Sequence, residues 1–172
     1  NYKKSVTLIE YAAFFGSIQI FKYLMNNGVV LSGSLWLYAI HGNNSEIINI
    51  LDENRIEPEK NINNKNDELL YEKCFIESVK CHHNELANYI KNNYLENEME
   101  SNKSHSFTSK KILINALKYY NFDLIDDDLI DSSIFFYLCN YDYPLFVVDV
   151  LKNKNIDEEQ YILIKNFLNA NL

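Results

Sequence analysis

The chain has 172 residues, 47% hydrophobic, 23% charged and 14% aromatic, with a net charge of -8 from 16 basic and 24 acidic residues. Four Gly and two Pro are too few for a sandwich or barrel of many tight turns, and no GxGxxG or GxxxxGK[ST] loop is present. One arginine, Arg55, and scattered lysines exclude the clustered cations that neutralise nucleic-acid phosphates or dock on an anionic membrane.

In place of Gly and Pro the chain carries 25 Asn, one residue in seven. The expected fold class is therefore all-α, with turns made by Asn. The length is that of one domain able to bury a core without staples. No apolar run approaches the roughly 20 residues of a spanning helix. Three cysteines, Cys74, Cys81 and Cys139, are odd in number and widely spaced, which fits reduced thiols in a cytoplasmic setting. Asn43-Asn44-Ser45 and Asn102-Lys103-Ser104 match the glycosylation pattern, as chance allows in an Asn-rich chain. The first residue is not Met and no signal peptide is visible, so the chain reads as a segment of a longer protein.

A repeat runs through the helical pattern. Tyr11 to Leu24 reads as a short apolar helix, a turn at Gly16-Ser17 and a second apolar helix. Tyr38 to Leu51 has the same plan 27 residues on, with Ala12 matching Ala39, Ile20-Phe21 matching Ile47-Ile48, and Leu24 matching Leu51. The small-apolar position recurs at Ser78, Ala116 and Leu138, each followed by a second apolar segment at Leu86-Ala87, Leu124-Ile125 and Phe146-Val147. One hairpin cannot bury both of its faces, so such units must stack. The reading is an α-solenoid over 1–172, with hairpins at about 5–30, 32–57, 70–95, 110–130 and 132–155. A polar, mobile loop is expected at 96–110. Asp157 with Gln160 suggests a capping box opening a terminal capping helix at 157–170.

Thr7-Leu8-Ile9-Glu10-Tyr11-Ala12-Ala13-Phe14-Phe15-Gly16-Ser17, followed by Ile20-Phe21, Leu24 and Asn27-Gly28, resembles the ankyrin repeat. Leu8 stands for the usual Pro and Glu10 for the usual His. Trp36 to Ile40 and Glu77 to Asn84 are similar to a divergent ankyrin-like group found in protist parasites. The later copies keep the apolar pattern and lose the letters.

The resemblance implies a concave face lined by the first helices. Its variable positions would be Tyr11, Phe14 and Phe15, then Tyr38 and His41, Glu77 and Lys80, Asn115 and Lys118, and Tyr137 and Asn140. It implies a non-enzymatic module that binds a partner protein through that face and the inter-repeat loops, without cofactor, metal, nucleic acid or membrane. A partner with a basic surface would complement the net charge, and further repeats would precede Asn1.

Two other readings stay open: a structural spacer in a longer array, and an enzyme or cation-binding domain built on Asp126-Asp127-Asp128 and Asp131. Against the second, that run reads as a solvated helix end, with Asp131 to Ser133 capping the next helix. Cys81-His82-His83 with His41 offers metal-ligand types but no paired spacing, and in register His82 and His83 fall on an inter-helix turn. Cys74 and Cys139 fall on apolar positions as inert thiols, and Trp36 takes a core position.

Overall fold

A computed structural model of the chain describes residues 5–59, 70–96, 109–153, 162, 165 and 166. The expected 96–110 loop and 157–170 capping helix lie almost wholly outside the described residues. Every described element is helical and no strand occurs among the described residues. Contacts along 1–172 gather into two compact units, Asn1–Phe107 and Thr108–Leu172.

The first unit contains α1 (Leu8–Phe14), α2 (Ile18–Asn26), α3 (Leu35–Gly42), α4 (Ser45–Glu53), α5 (Glu72–Lys80) and α6 (Asn84–Ile90), the last running into a π-helical turn at Lys91–Leu95. The helices pair as hairpins α1–α2, α3–α4 and α5–α6, and α1, α3 and α5 pack side by side in a row. Local chemistry starts these helices. Thr7 and Glu10 form a reciprocal capping box on α1. Asn44 caps α4 by accepting from the amides of Glu46 (3.0 Å) and Ile47 (3.2 Å).

The central helix of the row is apolar nearly all round because it is covered from both sides. Leu35, Trp36, Ala39 and Ile40 on α3 are fully buried. Each large side chain so buried contributes roughly 1.5–3 kcal/mol. Trp36 donates its indole Nε1–H to the Ile56 carbonyl, and its ring meets Tyr71 and Tyr94 edge-on at centroid distances of 5.4 and 5.9 Å. Short helices with small residues let the row close up. Gly42 lies so near α1 that a Cβ there would sit 2.1 Å from the Ala13 carbonyl oxygen.

The second unit contains α7 (Ser109–Lys118), three 3-10 turns at Phe122–Leu124, Asp127–Leu129 and Ser132–Ile134, then α8 (Phe135–Asn140) and α9 (Pro144–Asn153). Leu113, Leu117, Ile130, Ile134, Phe135, Leu138, Tyr143 and Val150 form its core. Where the sequence suggests a second α-helix after Ala116, two 3-10 turns occur. Asp126 turns its carboxylate onto the amide of Asp128 (3.1 Å), and such local bonding competes with the helical ladder.

One backbone device recurs in both units. The residue centring each hairpin turn is left-handed: Gly16 (φ 60°), Asn43 (44°), His82 (59°), Tyr120 (54°) and Asp142 (62°). In four of these turns the next amide donates five residues back, to the carbonyl of the small-apolar position. These bonds are Ser17 to Ala12 (2.8 Å), His83 to Ser78 (2.9 Å), Asn121 to Ala116 (2.9 Å) and Tyr143 to Leu138 (2.8 Å). This is the Schellman helix stop. The same stop ends α2 at Gly28 (Val29 to Leu24, 3.1 Å) and α4 at Arg55 (Ile56 to Leu51, 2.9 Å).

Candidate functional site

The row of α1, α3 and α5 carries a groove of about 450 Å³, wholly within the first unit. Phe14, Tyr38, His41 and Glu77 project into it from successive first helices, and Glu10, Leu37, Lys73 and Cys74 complete this wall. Pro58, Glu59 and Leu70 line it from the connecting segment. Glu10 is buried, and its charge is held by the Thr7 amide (2.7 Å), the Thr7 hydroxyl (2.9 Å) and the Ser34 hydroxyl (2.7 Å). That last bond ties α1 to the start of α3. Phe14 lies against His41 with ring centroids 5.1 Å apart.

His41, at the end of α3, stands between Glu77 of α5 and Cys81, the residue that caps the end of α5. Its Nε2 lies 2.7 Å from Glu77 Oε1, and its Nδ1 lies 3.5 Å from Cys81 Sγ. Glu77 and Cys81 are four residues apart, so the helical spacing places both on one side, toward α3. Lys80 Nζ also reaches Glu77 Oε1, at 3.1 Å. Burial, then the Glu77 carboxylate, pushes the Cys81 thiol up, while Lys80 opposes the shift. Burial also pushes the Cys74 thiol up, to about 12. Cys74 is therefore an inert thiol, whereas Cys81 and Cys139 are only partly covered.

The structure gathers four of the expected surface residues, Phe14, Tyr38, His41 and Glu77, around the groove. Tyr11, Phe15 and Lys80 are exposed outside its lining. Tyr11 stacks on Phe15 at 6.5 Å. In the second unit, Asn115 donates to the Lys111 carbonyl (2.9 Å), and the Lys118 ammonium sits over the Tyr119 ring (5.1 Å). Tyr137 stacks on Tyr141 (6.3 Å), and Asn140 is exposed at the end of α8. The acidic run does local work: Asp126 caps the Asp127–Leu129 turn, and Asp131 accepts from the amide of Ser133 (2.8 Å). No protein-family model, curated protein or solved structure matches the chain significantly. Among the described residues, no helix is long and apolar enough to cross a membrane.

The His41–Glu77–Cys81 group is what the linear pattern concealed. The sequence draws the eye to Cys81-His82-His83, but His82 turns away in its left-handed conformation and is exposed. The usable signal was the four-residue spacing of Glu77 and Cys81 on one helix face. Only the packing of α3 against α5 brings in His41, 36 positions before Glu77.

Proposed function

We propose that the chain is an interaction module of the ankyrin type, which takes up a partner polypeptide in the groove along α1, α3 and α5. The observation that carries this reading is the groove itself. Three first helices stand side by side, and each contributes side chains from equivalent repeat positions. Tyr38 and Glu77 share one register and Phe14 and His41 another, so a partner laid along the row meets one repeat after another. The recurring left-handed turn behind equivalent carbonyls supports a common repeat unit beneath the divergent letters. Aromatic rings with polar tips suit recognition because they offer area at small entropic cost.

The chemistry favours a basic, partly apolar segment. Glu59 and Glu77 line the groove beside Phe14, Leu37 and Tyr38, and the chain as a whole carries -8. Selection of random displayed peptides on the full chain, with EDTA present, tests this. The expected winners pair a Lys or Arg with an apolar residue and bind the Phe14→Ala/Tyr38→Ala variant at least tenfold more weakly. Selected peptides that bind this variant as well as the parent chain would place recognition elsewhere.

A further inference from the structure

We infer that His41, Glu77 and Cys81 form a binding site for a divalent transition metal, with Zn²⁺ as the best-suited ion. Among the described residues, this is the group of three His, Cys or acidic side chains whose ligand atoms converge, all within 4.8 Å of one another. The donor set is one imidazole nitrogen, one carboxylate oxygen and one thiolate, the three ligand types that a borderline-soft ion accepts together.

The sulfur–nitrogen distance suits the ion. Tetrahedral Zn²⁺ with bonds of about 2.3 Å to sulfur and about 2.0–2.1 Å to nitrogen holds those two atoms about 3.5–3.6 Å apart. Cys81 Sγ and His41 Nδ1 stand 3.5 Å apart. The Glu77 carboxylate on Nε2 favours the tautomer that carries its proton there, which leaves the Nδ1 lone pair facing the sulfur. To complete a three-ligand set Glu77 gives up its bond to Nε2 and turns its carboxylate to the ion, leaving the Nε2 proton to solvent. Three protein ligands leave a fourth position for water or a donor from outside. His41 and Glu77 both line the groove, so that position adjoins it.

One neighbour opposes the ion. Lys80 is bonded to Glu77, and its charge must give way when the carboxylate turns to a cation. Lys80→Ala is therefore expected to tighten metal binding several-fold, the reverse of what a structural ion pair would give. The site does not depend on a partner occupying the groove, and metal uptake is measured with the chain alone.

The test is titration of the full, chelator-stripped and reduced chain with Zn²⁺ alone and with Co²⁺ alone. One equivalent should bind, with a sulfur-to-cobalt charge-transfer band. That band should persist in Cys74→Ala and in His82→Ala/His83→Ala, and vanish in Cys81→Ser. His41→Ala should weaken Zn²⁺ binding more than tenfold. A second reading needs no variant: Zn²⁺ should protect Cys81, but not Cys139, from iodoacetamide in the parent chain, as read by peptide mass mapping. Failure to bind Zn²⁺, binding retained in Cys81→Ser, or alkylation of Cys81 unaffected by Zn²⁺ would overturn the assignment.

Discussion

Asn44 Nδ2 donates to the Gly16 carbonyl oxygen at 3.1 Å, tying the turn of the second hairpin to the turn of the first. The other end of the same amide caps α4 through Oδ1. One side chain thus bridges two hairpins and starts a helix. Asn44→Ala removes both roles and is expected to cost roughly 1–2 kcal/mol. Asn44→Ser keeps a capping oxygen but is too short to span the turn, so it should recover about half of that loss. Urea unfolding of the three chains measures the split.

Gly42→Ala should destabilise, although Gly to Ala inside a helix ordinarily stabilises by up to about 1 kcal/mol. The new methyl would lie 2.1 Å from the Ala13 carbonyl oxygen and 2.8 Å from the Gly16 amide nitrogen. Both are backbone atoms, so α1 and α3 must separate. The expected cost is roughly 1–3 kcal/mol, seen as a lower Tm. An unchanged or raised Tm would mean that the row tolerates a wider spacing.

Trp36 is the single tryptophan and is fully buried in the first unit. Its emission should be blue-shifted in the native chain and should report unfolding of residues around α3 alone. Trp36→Phe loses the hydrogen bond to the Ile56 carbonyl and part of the ring contact, for a cost of about 1–3 kcal/mol. Tyr143→Phe is the matching test in the second unit. It deletes a buried hydroxyl that donates to the Leu117 carbonyl at 3.0 Å, and should cost about 1 kcal/mol. Circular-dichroism melts compare the two.

The buried Cys74 thiol makes stability fall at alkaline pH. Its folded pKa is raised from 9.0 to about 12 by burial. The unfolded chain therefore ionises this group first. The thiol's contribution is fully present below pH 9 and is lost as pH rises from about 9 to about 12. Burial raises the Tyr94 hydroxyl in the same direction. Cys74→Ala should flatten the fall between pH 9 and 11 relative to the parent chain, as read by urea midpoints at each pH. An identical profile in the variant would show that the thiol is solvated.

Much of the fold is written locally. Ala12, Ser78, Ala116 and Leu138, all legible in the repeat pattern, are the positions whose carbonyls take the helix-stop bond. Thr7 with Glu10 has the Thr-x-x-Glu spacing of a capping box, and the two side chains form one on α1. Asn in the turns was legible at Asn43. Asn92 and Asn93 instead lie inside the π-helical turn, with the Asn93 side-chain amide donating to the Tyr89 carbonyl (2.8 Å). Left-handed positions also went to His82, Tyr120 and Asp142, residues that composition does not single out. The helix stop needs the backbone bond, and the surrounding core makes up the modest cost of a non-Gly residue there.

The sequence by itself determined the all-helical class and the three hairpins of the first unit, because these rest on hydrophobic spacing and on caps within a few residues. Only the tertiary structure decided what meets between neighbouring hairpins. It set Gly42 against Ala13, Glu10 against Ser34, and His41 between Glu77 and Cys81. The physical reason is that side-chain chemistry at a distance depends on how closely two helices pack and which faces they turn to each other. Both are fixed by the sum of buried contacts in the row and by no single residue along the chain.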